Sequence, residues 1–206
     1  MRMLLKHVLN AAFAALFLCS CVDEHGQEGH VTKHKFSVSV ADGSVADSLC
    51  LAFDGDVAVS GGAEPLKISK GTAEGKVAEA DEYFAAYPAD AFLYFSPDEP
   101  SSVTMRLPVV QTAVKGSIPE GTDLAVASTS SDEMSFEFGD MLSYIRFSIT
   151  EEAGKLRSIS LISTYGARIS GDFAVSCLDE DREVFPMPSS ASNVSLTPSG
   201  EFFEPG

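Results

Sequence analysis

The chain has 206 residues, of which 45% are hydrophobic, and its 30 acidic residues outnumber 14 basic ones to give a net charge of −16. That length is enough for one well-formed hydrophobic core with short flanking segments. A chain this acidic is repelled by nucleic-acid phosphates and by anionic lipid surfaces, which argues against both kinds of partner.

The first 20 residues have the pattern of a bacterial export signal. Arg2 and Lys6 form a basic start, and the apolar stretch that follows is too short to span a bilayer as a stable helix. The stretch ends in Leu18-Cys19-Ser20-Cys21, which matches the processing site of bacterial lipoproteins. We therefore predict cleavage before Cys21 and lipid attachment to its sulfur, with several acyl chains giving stable anchoring. The alternative is an ordinary secretory signal that leaves Cys21 as a free thiol.

Residues 21–34 are predicted to form a polar tether, and residues 35–206 a folded domain. The signal contains two of the 14 basic residues and no acidic ones, so the mature chain has 12 against 30 and a net charge of −18. The tether could bind a divalent ion only if it were helical, and its two glycines oppose that conformation. We predict a hydrophilic spacer that binds no metal, despite the side chains of His25, His30, His34, Glu24 and Glu28.

From Phe36 onward, apolar and polar residues alternate in many short segments that are separated by Gly, Pro and Asp. This pattern predicts an all-β fold, an antiparallel β-sandwich of the Greek-key, transthyretin-like kind with one or two short helical turns. The clearest helical candidate is Glu79 to Ala86, which ends before Pro88. The apolar sides of the predicted strands give an expected core of Phe36, Leu51, Phe53, Leu93, Phe95, Phe136, Phe138, Ile145, Phe147, Leu161 and Phe173.

Two further cysteines, Cys50 and Cys177, lie in apolar strand-like segments. They can form one disulfide or remain as two buried thiols, since the sequence does not give their separation.

Four segments of the chain resemble the fimbrillin family, the lipoprotein subunits of type V pili in Bacteroidales. The segment from Glu82 to Pro88 looks like the family's aromatic-Ala-Tyr-Pro element, and Leu107 to Gln111 is similar to its loop with a central Gln. The segment from Phe136 to Phe147 looks like its Phe-x-His-x-Leu element, with Asp140 where the family often has histidine. Ile159-Ser160-Leu161 followed by Ile169-Ser170-Gly171 resembles its Ile-Ser-Gly strand pair.

This resemblance implies a cell-surface fimbrial subunit, structural or adhesive, whose partners are other fimbrial subunits or an anchor protein at the outer membrane. In the family a protease cuts after a basic residue and removes the first strand, and a strand from the next subunit fills the groove. Lys33 and Lys35 are the candidate processing sites, but both precede the Phe36 strand, too early to release it. The chain ends at Gly206, about where the family's second, strand-donating domain begins, so we expect it to lack that domain.

Enzymatic activity is not expected, and neither is a cofactor. All four histidines fall in the predicted signal or tether, so the predicted domain has none to act as a general base. The chain also lacks Trp, leaving Tyr and Phe as the only rings for stacking on a sugar. The alternative function is a surface lipoprotein that binds a ligand such as a glycan and does not polymerise.

Overall fold

The computed structural model of the chain describes residues 30–41, 55–151, 154–178 and 183–203. The chain divides into two compact units, Met1–His30 and Val31–Gly206, and all described residues except His30 belong to the second. The predicted positions Cys21, Cys50, Leu51 and Phe53 lie outside the described residues.

The predicted all-β class is confirmed: the described residues form 14 strands and one 3-10 turn, Ala89–Ala91. The strands are β1 Val31–Val40, β2 Gly55–Val59, β3 Leu66–Ser69, β4 Thr72–Ala78, β5 Glu82–Tyr87, β6 Phe92–Phe95, β7 Ser102–Leu107, β8 Val110–Thr112, β9 Ala125–Ser130, β10 Ser135–Asp140, β11 Ile159–Ile162, β12 Gly171–Ser176, β13 Val184–Pro186 and β14 Asn193–Thr197.

Seven of the strands form a sheet that closes on itself in the order β1-β10-β9-β5-β2-β3-β4. β1 closes the ring, pairing antiparallel with β4 and parallel with β10. Most strand pairs are antiparallel, as the predicted sandwich implies. The parallel pairing of β1 with β10 was not predicted, because a strand's direction relative to a partner about 100 residues away along the chain is not encoded in its alternation. The interior is filled by a cluster that includes Phe36, Phe136 and Phe138.

A second sheet, in the order β13-β12-β7-β6, packs its inner face on the outside of the closed sheet. The shared core contains Val103 and Met105 from β7, Phe173 from β12 and Phe84 from β5. Two layers packed on a shared core are consistent with the predicted sandwich, although one layer is closed into a ring that has a second core inside it.

The predicted helix from Glu79 to Ala86 was wrong, because most of this segment is strand β5. Tyr83 and Ala85 face the interior of the closed sheet, whereas Phe84 and Ala86 face the second core. A strand buried on both faces shows no alternation of polar and apolar residues. The alanines of β5 and the acidic residues at its start therefore resemble the sequence of a short helix.

The remaining three strands form a small sheet in the order β11-β14-β8, and no residue in them is fully buried. The segment from Met141 to Thr150 has no regular structure, although Ile145 and Phe147 in it alternate with polar residues. Ile145 and Phe147 are 64% and 39% exposed, so their predicted core positions are wrong. Alternation records a strand-like sequence but not whether a neighbouring strand or layer covers its apolar side.

The predicted core is otherwise partly confirmed. Phe36, Phe136, Phe138 and Phe173 are buried as expected. The other three predicted core residues that are described are only half-buried: Leu93, Phe95 and Leu161.

Candidate functional site

The predicted assembly by strand exchange depends on β1. The side chains of β1 alternate strictly between exposed and more buried positions. Lys33 and Lys35 are exposed, whereas Phe36 has no exposed surface. Its even-numbered side chains face inward because successive residues of a strand point to opposite faces. The predicted half-buried strand around Phe36 is therefore confirmed.

Aromatic rings hold the centre of β1. The Phe36 ring is stacked on Phe136 with centroids 4.9 Å apart, and it meets Tyr83 edge to face at 5.2 Å. Such pairs add roughly 0.5–1.5 kcal/mol each to the stabilisation from burial. Phe36 thus anchors β1 against both β10 and β5.

The backbone of β1 is paired along both of its edges. Val31 to Ser37 lie opposite residues of β4, and Ser37 to Val40 lie opposite residues of β10. Beyond the ladder, the Ala41 N–H donates to the Phe138 carbonyl at 2.8 Å. Without β1, the facing edges of β4 and β10 would present unpaired backbone groups beside an apolar slot.

The candidate processing residues Lys33 and Lys35 lie within β1, in the half that pairs with β4. The Lys33 ammonium forms an ion pair with Glu74 across the sheet, and this hydrogen bond lowers the pKa of the Glu74 carboxyl. Glu74 was not identified from the sequence, because cross-strand partners depend on register. β1 begins at Val31, four residues before the predicted start of the domain at Lys35.

His34 belongs to β1 and not to a tether, so the prediction that the folded domain contains no histidine was wrong. Its Nε2 lies 2.7 Å from the Thr32 hydroxyl, and its ring centroid is 5.4 Å from that of Tyr83. The folded unit therefore contains an imidazole, in an aromatic setting at the inner face of the closed sheet.

Cys177 is 5% exposed and belongs to the core between the two sheets. Cys50 and the predicted lipid site Cys21 lie outside the described residues, so a disulfide between Cys50 and Cys177 and two separate thiols both stay open, and lipid attachment to Cys21 stays a prediction. Within the described ranges, no group of three or more His, Cys, Asp or Glu side chains is arranged to hold a metal ion.

Comparisons with protein families, with curated proteins and with solved structures find no match to this chain. Across the part of the chain that the structure describes, no helix has both the length and the apolar character needed to traverse a lipid bilayer.

Proposed function

We propose that this chain is a fimbrial subunit, structural or adhesive, held at the cell surface by lipid on Cys21. The observation that carries the proposal is β1, a strand near the start of the folded unit that closes a seven-stranded sheet by pairing on both edges. Its single fully buried side chain, Phe36, fills a slot that an extended segment from another subunit can fill in the same way.

The segments that resemble fimbrillin support the proposal by their positions. The aromatic-Ala-Tyr-Pro element contains β5, the strand buried between the two cores. The first five residues of the Phe136 element lie in β10, the parallel neighbour of β1, and its remainder has no regular structure, whereas Gly171 begins β12 in the second sheet. These are positions at which a fold constrains its sequence most strongly.

Proteolytic activation in the family's usual way is not part of the proposal. A cut after Lys33 or Lys35 would leave Phe36 to Val40 attached to the domain, with Ser37 to Val40 still paired with β10 and Phe36 still opposite Ala73 of β4. The acceptor slot would then stay occupied by the chain's own Phe36. We propose that the chain caps a fibre or stays single on its lipid anchor.

Donation of a strand from the C-terminal region is also disfavoured. Val194 and Leu196, the alternating apolar residues in that region, lie in β14, which is paired on both sides by β11 and β8.

Purified residues 22–206 should therefore be monomeric by size-exclusion chromatography with light scattering, before and after limited trypsin treatment. As a positive control for acceptance, a protein that begins at residue 41 should bind a peptide of residues 30–41 but not the same peptide with Phe36→Ala. Ladders of SDS-resistant oligomers from residues 22–206 alone would contradict this prediction.

The lipid anchor is tested by Cys21→Ser in the full-length chain. A mature domain of net charge −18 has no electrostatic affinity for an anionic membrane, so loss of the acyl chains should release it. Fractionation should find the variant in the periplasm or medium and the wild-type protein in the outer membrane. Cys19→Ser, two residues earlier, is the matched control and should stay with the membrane. Retention of the Cys21→Ser protein there would refute the lipoprotein assignment.

A further inference from the structure

The outward face of strands β3, β4 and β1 carries a concentration of positive charge within an acidic chain. Residues 31–40 and 66–78, which contain these strands and the turn between β3 and β4, include five lysines and one acidic residue, Glu74. The chain as a whole has 30 acidic residues against 14 basic ones. All five lysines are exposed, and we call them the lysine face: Lys33, Lys35, Lys67, Lys70 and Lys76.

Three neighbouring strands of the closed sheet present the lysine face outward. Lys33 and Lys35 alternate in β1 with side chains that point into the ring. Lys67 of β3 and Lys76 of β4 alternate with inward side chains in the same way. The second sheet packs against β5 and β9, on the opposite side of the ring. Among the described residues, therefore, no further layer covers the lysine face.

Two of these lysines occupy positions where the fold itself favours other residues. Lys76 lies directly opposite Lys33 in the pairing of β4 with β1, and like charges in that position destabilise a sheet. Lys70 begins the two-residue turn between β3 and β4 with a φ of +52°, and Gly71 follows at +71°. Such a turn favours Asn or Gly at its first position, because other side chains rarely adopt a positive φ. Folding therefore does not account for lysine at these two positions.

An exposed sheet face of lysines fits a surface of negative charges better than it fits one small anion. The ammonium groups are point charges on flexible stems, which suit phosphate groups that are spread over a surface. The sequence places Lys33 only 12 residues after Cys21, the predicted lipid site. Even fully extended, that length of chain spans about 40 Å, so lipid on Cys21 would keep the lysine face within reach of a bilayer.

We propose that the lysine face is a membrane-docking surface that binds the phosphate groups of anionic phospholipids. The proposal rests on the lipid anchor proposed above. The mature chain as a whole has a net charge of −18 and is repelled by such a membrane, so this face does not hold the protein there by itself. It orients a domain that is already anchored, with the outer surface of β1 toward the bilayer and the second sheet away from it.

The test is a lysine footprint on vesicles. Residues 22–206 with an N-terminal histidine tag are held by a small fraction of nickel-chelating lipid on vesicles of phosphatidylcholine alone, or of phosphatidylcholine and phosphatidylglycerol in equal amounts. Sparse acetylation followed by mass spectrometry gives the reaction rate of each lysine. On the anionic vesicles the rates of the five lysines should fall roughly threefold or more, and Lys155, outside the lysine face, should react as before. The protection should disappear at about 1 M salt, where the Debye length is about 3 Å.

Lys70→Asn combined with Lys76→Gln removes two charges from the lysine face and should not weaken the fold. Asn suits the turn, and Gln removes the repulsion from Lys33. The variant should therefore unfold at the wild-type temperature or above it, while the protection of Lys33 and Lys35 on anionic vesicles falls by roughly half or more. The matched control is Lys115→Gln combined with Arg168→Gln, which removes two exposed charges outside this face and should leave the protection unchanged.

The proposal is overturned if the five lysines react at the same rate on both kinds of vesicle, or if the Lys70→Asn, Lys76→Gln variant is protected as strongly as the wild type. It is also overturned if the lysines become protected without vesicles as the protein concentration rises, which would make the face a contact with another protein chain. The nickel tether replaces the lipid in this experiment. These outcomes therefore leave the assignment of Cys21 to be decided by the fractionation of Cys21→Ser.

Discussion

Phe36→Ala should lower the free energy of unfolding by about 3–5 kcal/mol, a large part of the stability of a domain of this size. The side chain has no exposed surface, and its ring contacts those of Phe136 and Tyr83 inside the closed sheet. Truncation leaves a cavity between strands that are paired on both sides and cannot close in to fill it. Urea unfolding followed by circular dichroism measures the loss.

Phe147→Ala is the matched control, because it makes the same chemical change in a segment without regular structure. Alternation alone predicts an equal loss there, whereas an exposure of 39% predicts a loss under about 1 kcal/mol. A loss under about 1 kcal/mol from Phe36→Ala, as small as that expected from Phe147→Ala, would mean that β1 is not central to the core. It would also remove the main support for the proposed strand exchange.

Gly171→Ala should be the second strongly destabilising change, by about 2–5 kcal/mol. Gly171 begins β12 with a φ of +95°, and a Cβ there would lie 2.8 Å from the Cα of Ser190. That neighbour is backbone, held in place because the Ala191 N–H donates to the Ser170 carbonyl at 2.8 Å. The loop after β13 would have to move away from β12, and thermal unfolding should show a lower midpoint.

Gly116→Ala separates backbone strain from steric clash. Gly116 also has a positive φ, of +74°, but nothing lies within 4 Å of the position that a Cβ would occupy. The substitution should cost only about 1–2 kcal/mol, the strain of a left-handed conformation. If both glycine variants lose the same amount, the close approach of Ser190 contributes nothing.

Strands that bury one face were predictable from the sequence, as β1 and β10 illustrate. Phe36 and Phe136 alternate with polar neighbours, and each is buried where the alternation placed it. The prediction of buried residues failed where both faces of a strand are covered, and where the apolar side of a segment is exposed. β5 is covered on both sides, whereas Ile145 and Phe147 are largely exposed in a segment without regular structure.

The candidate site was predictable only in part. The sequence marked Phe36 as the inward residue of a first strand and placed Lys33 and Lys35 before it. It did not identify Glu74 as the partner of Lys33, because that contact follows from the register between β1 and β4.

The all-β class and the net negative charge follow from the amino-acid sequence, which also predicts the export and lipid signals, because these features depend on composition and on patterns within a few residues. The folded structure was needed to find that β1 closes a ring and that β5 is shared by two cores. The physical reason is that period-two alternation records which side of a strand is apolar. Which strand lies beside it, in which direction and under which layer follows from contacts between distant segments.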